Sequence, residues 1–369
     1  MKVVFRADAS LQIGSGHIMR CLTLAEALRA EGVECHFICR EHPGNLLDFI
    51  RNKGFEAFGL KPVVNADFVD RQVLQGDHLA HSDWLCATQS QDAQECAALL
   101  GGLRPDWLIV DHYALDMRWE ASLQKYFKHL LVIDDLADRK HICDLLLDQN
   151  LGRAEQDYVG LVPESCHVMV GAQFALLRPE FARLRMQSLE SRGSAMLQHL
   201  LITMGGVDQA NATGAVLQAL KACSLPDGCR ISVVMGLKAP YLTSVKEVAS
   251  TMPWPTEVLV NVTNMAERMT CADLIVGAAG STSWERCCLG VPTIMVVLAD
   301  NQKPAARALL SSGSVLLIEL VQDIPACLPP AILALAQPGA LLEMSERARK
   351  YCDGLGAERV IKRMGDRNE

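Results

Sequence analysis

The chain has 369 residues, half of them apolar and 21% charged, with a net charge of −8 at neutral pH. That length exceeds one ordinary domain and predicts two cores, and the composition excludes a disordered chain. The acidic balance supplies no field for DNA or RNA, so nucleic acid is not an expected partner, while a small pocket for a phosphate remains compatible with it.

The opening MKVVFRAD runs straight into charge, which predicts neither a leader nor a membrane span there. Residues 2–5 read as a strand, followed by a polar turn and a helix with apolar positions 18, 21, 22, 25 and 28 on one face. VECHFIC at 33–39 predicts a second strand and GNLLDFIRNKG at 44–54 a second helix. After a less regular stretch at 60–88 come a helix at 89–101, the strand DWLIVDHY, a helix at 116–126, and the strands HLLVIDD and CDLLLDQ. The same grammar restarts with LLITMGGVDQANAT at 200–213 and continues through RISVVMG, TEVLVN, ADLIVGAAG and PTIMVVLAD to a helix from 303. Acids interrupt the longest apolar runs well before 18 residues, so no membrane partner is expected. Short apolar strands separated by helices predict mostly parallel sheets covered on both faces. The expected architecture is α/β: a Rossmann-like domain at 1–175 and a second at 176–369, facing each other across a central cleft. The arginine-rich segment around 178–196 marks the boundary and is itself compatible with a helix. Fourteen cysteines without a Cys-x-x-Cys pair read as reduced thiols, which makes the cytoplasm the expected location.

Parallel α/β sheets bind ligands beyond the carboxyl ends of their strands, and the loop carrying Asp8, Gly14 and Gly16 has that position. Its glycines let backbone amides approach a ligand, Ser15 is a candidate helix cap, and His17 falls in the first helical turn. The positive end of the helix disfavours imidazolium, as a general base requires. The alternative is a packed histidine satisfied by Asp8 or by the backbone. Arg6 and Arg20 fit either an anion or a salt bridge. Met19 breaks the G-x-G-x-x-G pattern, which removes the motif for a dinucleotide.

In VGAAGSTSWERCCLGVPTIMV a strand ends, Gly280 permits a tight turn, and Ser281 and Thr282 open a helix suited to a diphosphate. Glu285, one turn on, can accept both hydroxyls of a ribose, or it can cap the helix from the T-x-x-E position. Gly205 and Gly206 in MGGVDQAN suit a ligand's other side, or a simple turn. Asp134, Asp135, Asp138, Arg139, His141 and Asp148 cluster around two strand ends, and Asp111 with His112 ends the strand LIVDHY. There is no H-E-x-x-H, D-x-D, P-loop or G-x-S-x-G, so neither a metal nor a cofactor is expected. The residues thus point to a nucleotide-sugar enzyme that transfers or hydrolyses, or to a binding module without turnover.

The stretches FRADASLQIGSGHIMRCLTLAEAL, DWLCATQSQDA, LIVDHYALDMRWE, VIDDLADRKHICDLLLDQN, ALLRPEF, GGVDQANAT and GAAGSTSWERCCLGVPTI followed by NQ run in order from residue 5 to about 302. As a set they resemble the hydrolases of pseudaminic acid biosynthesis, which cleave UDP-2,4-diacetamido-2,4,6-trideoxy-β-L-altropyranose. The resemblance implies a GT-B-type fold, a UDP-sugar as the small-molecule partner, no metal, water as acceptor and inversion at the anomeric carbon. It implies His17 as base, with Asp8 beside it as orienter or sugar ligand. It places Glu285 on the uridine ribose, and Ser281 and Thr282 near the diphosphate. Arg6, Gly14, Gly16, Arg20, Tyr113, Arg178, Asn264, Asn301 and Gln302 fall on motifs that look like sugar or diphosphate contacts, alongside Gly205, Gly206 and Gly280. The product would then feed flagellin or a surface polysaccharide. Ala279 stands where the family often has glycine, which matters only if that backbone needs a positive φ. A monomer is the expected state, a weak dimer the alternative.

Overall fold

A computed structural model of the chain describes residues 1–61, 79–192 and 196–367. The chain divides into two compact units, Met1–Leu176 with Ala357–Glu369, and Leu177–Gly356.

In the first unit the elements follow as β1 (Lys2–Ala7), α1 (Gly16–Ala30), β2 (Glu34–Arg40), α2 (Leu47–Asn52), β3 (Glu56–Leu60), α3 (Gln89–Leu103), β4 (Trp107–Asp111), α4 (Met117–Leu123), β5 (His129–Ile133), β6 (Leu145–Asp148) and β7 (His167–Val170). The strands form one parallel sheet in the order β3-β2-β1-β4-β5-β6-β7. Strand alternation sorts the side chains into two layers. Phe5, Phe37, Ile109, Leu131 and Leu147 pack with Ile18, Leu24 and Leu28 of α1. Val4, Ile38, Leu108, Val132 and Leu146 pack on the opposite face with Cys96 and Leu100 of α3 and Trp119 of α4. The α3 helix starts where Thr88 accepts from the Gln91 amide and Gln91 answers in a capping box. Strands β3 and β7 were not among the expected elements. The stretch expected to be irregular lies largely outside the described residues.

The second unit contains α5 (Pro179–Ser191), β8 (His199–Thr203), α6 (Ala212–Leu220), β9 (Arg230–Met235), α7 (Leu242–Ser250), β10 (Thr256–Val260), α8 (Met265–Cys271), β11 (Leu274–Ala278), α9 (Thr282–Leu289), β12 (Thr293–Val296), α10 (Lys303–Ser311), β13 (Leu316–Ile318), α11 (Ile324–Leu335) and α12 (Ala340–Ala348). Its parallel sheet runs β10-β9-β8-β11-β12-β13. The arginine-rich boundary segment is the helix α5, opened by Pro179.

The end of the expected second domain is corrected by the last helix, α13 (Gly356–Gly365). Its Ala357, Val360, Ile361 and Met364 lie in the same cluster as Phe5 and Phe37, so the chain returns to complete the first unit. Burying three large apolar side chains there is worth about 1.5–3 kcal/mol each at most, enough to fix the helix on that core. Among the described residues no single helix is long and apolar enough to cross a membrane.

Candidate active site

In each sheet the first strand lies between its successor and a later strand, β1 between β2 and β4, and β8 between β9 and β11. The loops leaving β1 and β4, and those leaving β8 and β11, therefore diverge from a topological switch point, where open parallel sheets leave a crevice. Register pairs Ala7 with Asp111, so residues more than a hundred apart emerge side by side.

His17 stands at the start of α1 and is buried but for 8% of its surface. Its Nδ1 lies 2.6 Å from Asp111 Oδ1. Asp111 is fully buried and also accepts from Arg20 Nε and Nη2, both at 2.6 Å. Burial works against its ionisation, but Arg20 and then His17 outweigh burial and hold the Asp111 carboxyl well below the usual carboxylate range. An ionised carboxylate only accepts, so His17 Nδ1 carries the proton of that contact, while Nε2 has no hydrogen-bond partner among the described residues. Arg20 Nη1 continues to Asp135 Oδ2 at 2.7 Å, and the Tyr113 hydroxyl donates to the same oxygen at 2.6 Å. Burial and then the Asp135 charge push the Tyr113 phenol well up, so it serves as a donor. Asn150 Nδ2 holds the other Asp135 oxygen at 3.0 Å.

Asp8 does not meet His17. It follows Val4 and Arg6 on the face covered by α3, where Arg6 Nη1 donates to its Oδ1 at 2.6 Å and the Arg40 amide does so at 2.6 Å. Its Oδ2 lies 3.2 Å from His112 Nε2 and 3.5 Å from His42 Nε2. Burial opposes ionisation, but Arg6 and then the histidines hold the Asp8 carboxyl well below its usual range. The orienting partner expected at Asp8 is instead Asp111, because β4 rather than the β1 loop presents its carboxylate to α1. Arg6 binds Asp92 through Nε at 3.1 Å and Nη2 at 2.7 Å, and Arg40 Nη2 reaches Asp92 at 2.7 Å. Arg6 and Arg20 thus have the salt-bridge role that was the alternative to anion contact, and Arg6 is wholly buried.

The ring of His17 also meets Tyr113 edge-on at 4.7 Å and Trp84 at 6.3 Å. His81 packs on both of those residues, 4.4 Å from Trp84 and 5.4 Å from Tyr113. His81 and Trp84 had no assigned role in sequence, and nothing in DWL distinguishes a ring beside the histidine from one in the core. Gly14 adopts a left-handed φ of +80°, and a Cβ on Gly14 or Gly16 would meet nothing within 4 Å, so the loop is open above its glycines. Ser15 occupies the N-cap position without making a side-chain cap.

At the second switch point the turn between β11 and α9 brings Gly280, Ser281 and Thr282 together with Gln302, whose Nε2 is 4.0 Å from the Cβ position of Gly280. Gly280 and Ala279 have no positive φ, so the tight turn does not depend on glycine there and Ala279 is unstrained. The Ser283 and Trp284 amides close onto the Gly280 and Ser281 carbonyls. Those of Gly280, Ser281 and Thr282 have no acceptor among the described residues. The expected alternative of a Thr282–Glu285 capping box does not form; Glu285 Oε1 instead faces Arg178 Nη2 at 3.6 Å. Burial pushes the Glu285 carboxyl up to about 7, against the pull of Arg178 and Arg286. On the neighbouring β8 loop, Gly205 has φ +86° and Gly205 and Gly206 are both exposed. Asn264 and Asn301 are exposed too, and Asn264 is bonded to Glu267 and Arg268 of its own helix at 3.1 and 3.0 Å. Among the described residues no group of three or more His, Cys, Asp or Glu could hold a metal ion.

Residues 200–363 match the glycosyltransferase family 28 C-terminal domain. Over 85% of its length the chain is 27% identical to a Campylobacter jejuni protein named UDP-2,4-diacetamido-2,4,6-trideoxy-beta-L-altropyranose hydrolase, of which it covers 97%. It is 25% identical to the spore coat polysaccharide biosynthesis protein SpsG of Bacillus subtilis, with 98% of this chain and 96% of that one aligned. Among solved structures, MurG of Acinetobacter baumannii superposes with a TM-score of 0.72 and 16% identity over 99% of both chains. The fold is accordingly the GT-B-type α/β class expected from the sequence, with one Rossmann-like sheet in each unit.

Proposed function

We propose that this chain is a metal-independent hydrolase of a UDP-linked diacetamido-trideoxy sugar, in which His17 activates water. The single observation that carries the base role is the His17–Asp111 contact at 2.6 Å, with Asp111 clamped by the Nε and Nη2 donors of Arg20. The likeness to the Campylobacter hydrolase supports the substrate and the choice of water.

In this reading the second unit takes the nucleotide. The three free amides of the Gly280–Thr282 turn bind the diphosphate, and Glu285 exchanges Arg178 for the ribose hydroxyls. The first unit presents the sugar to the open loop over Gly14 and Gly16, beside His17 and Tyr113. Water attacks the anomeric carbon from the face opposite UDP. Its oxygen bonds to carbon, the carbon–oxygen bond to the β-phosphate breaks, and the water proton passes to Nε2. UDP leaves as an anion with the electron pair of that bond, so no general acid is required. The imidazolium formed is stabilised by Asp111, whose position also keeps the reactive nitrogen turned outward. Inversion follows from attack opposite the leaving group.

The family 28 match favours one second reading, transfer of the same sugar to an acceptor hydroxyl. Incubation with the UDP-sugar in oxygen-18 water separates them. Label in the free sugar with unlabelled UDP is the expected result. Label in UDP means attack at phosphorus, and turnover seen only after an acceptor is added means transfer. UDP binding without any turnover makes the chain a binding module. His17→Asn is expected to bind UDP normally and lose most turnover; activity like that of the unaltered protein would refute the base role.

A further inference from the structure

Arg286 lies in the last turn of the short helix α9 and is 1% exposed. It forms no ion pair with a carboxylate among the described residues, because its neighbour Glu285 is directed to Arg178. Its hydrogen bonds go instead to the two ends of the β11–α9 turn. Nη2 donates to the Ala278 carbonyl at 2.8 Å and to Ser283 Oγ at 3.1 Å, Nη1 reaches Thr282 Oγ1 at 3.5 Å, and Nε has no partner. Room for the guanidinium is made by Gly277, since a Cβ there would stand 2.4 Å from Nη1.

A cation sealed in the interior without an opposite charge is unfavourable, and proteins retain one where something else compensates it. Burial draws Arg286 down to about 10, outweighing the smaller opposing effects of Cys287 and Glu285. The free amides of Gly280, Ser281 and Thr282 belong to the turn that Arg286 spans, so the uncompensated charge and the unused donors converge on the same few residues.

We infer that Arg286 is a positioning residue for a phosphate-bearing ligand, bracing the 278–283 turn and supplying, from inside the fold, the positive charge that the ligand's diphosphate neutralises. The inference rests on the nucleotide role proposed for this turn and adds its source of charge. A guanidinium behind the turn does for the departing diphosphate what a bound cation does elsewhere, by preorganised electrostatics.

The test is titration calorimetry of uridine, UMP and UDP against the unaltered protein, Arg286→Gln and Arg286→Lys. A charge that acts on phosphate separates the ligands. UDP should weaken about tenfold or more in Arg286→Gln while uridine stays within about twofold, with UMP between them. Arg286→Lys keeps the charge but cannot span both ends of the turn, so its loss of UDP affinity should be smaller. Equal loss for uridine and UDP, or no loss for either, overturns the inference while leaving the nucleotide reading intact. Should Arg286→Gln fail to fold, Arg286→Lys decides by the same comparison of UDP with uridine. An unaltered protein that binds neither UDP nor uridine overturns the nucleotide reading, and the inference with it.

Discussion

Replacing Asp111 by Asn tests the site where the geometry is most demanding. The carboxylate accepts three contacts of 2.6 Å, one from His17 and two from Arg20. An amide has the same size but one acceptor oxygen. His17 Nδ1 and Arg20 Nη2 share Oδ1 while Arg20 Nε takes Oδ2, so the amide oxygen keeps two contacts only at the Oδ1 place, where Nδ1 still donates but no longer to a charge. The imidazolium formed when Nε2 takes the proton of water then lacks its counter-charge. A positioned general base contributes about 10²–10⁴ in rate, so kcat should fall by that range while the dissociation constant of UDP stays within about twofold. The same change leaves Arg20 buried with Asp135 alone, and breaking such a network costs about 3–5 kcal/mol. Kinetics of UDP release, calorimetry with UDP and urea unfolding of one preparation read all three quantities. A folded Asp111→Asn protein whose kcat is within about threefold of the unaltered protein would refute the counter-charge argument.

Three other outcomes are expected. The Glu285 carboxyl is held at about 7 by burial, above its unfolded value of 4.5, so the folded state loses stability as pH rises from about 4.5 to about 7. That difference corresponds to at most about 3 kcal/mol, and Glu285→Gln should match the unaltered protein near pH 4 and exceed it at pH 8 in urea unfolding. Asp8→Asn should cost about 3–5 kcal/mol through the Arg6 network and leave the shape of the pH–rate profile unchanged; an altered profile would return Asp8 to the chemistry. Ala279→Gly should leave kcat/KM within about twofold and lower stability by about 0.5–1 kcal/mol, because the native backbone there has no need of glycine; a gain in thermal stability would contradict the observed φ.

The residue sequence by itself determined the class of fold and the chemistry worth looking for. Alternating short apolar strands and helices specify a parallel sheet covered on both faces, since a strand buried on both sides has to be apolar throughout. Loop glycines beyond strand ends marked the β1, β8 and β11 turns, and His17 stood out by opening a helix. Contacts between distant segments were not legible, because a strand's local pattern does not name its neighbours in the sheet. Only the order β2-β1-β4 puts Asp111 rather than Asp8 on His17, and only strand parity sends Asp8 and Arg6 to the side of α3, where Arg6 meets Asp92. The last helix shows the same limit. Its apolar face at Val360 and Met364 fits either unit by periodicity, and which core it completes was decided by where the folded chain left an uncovered surface.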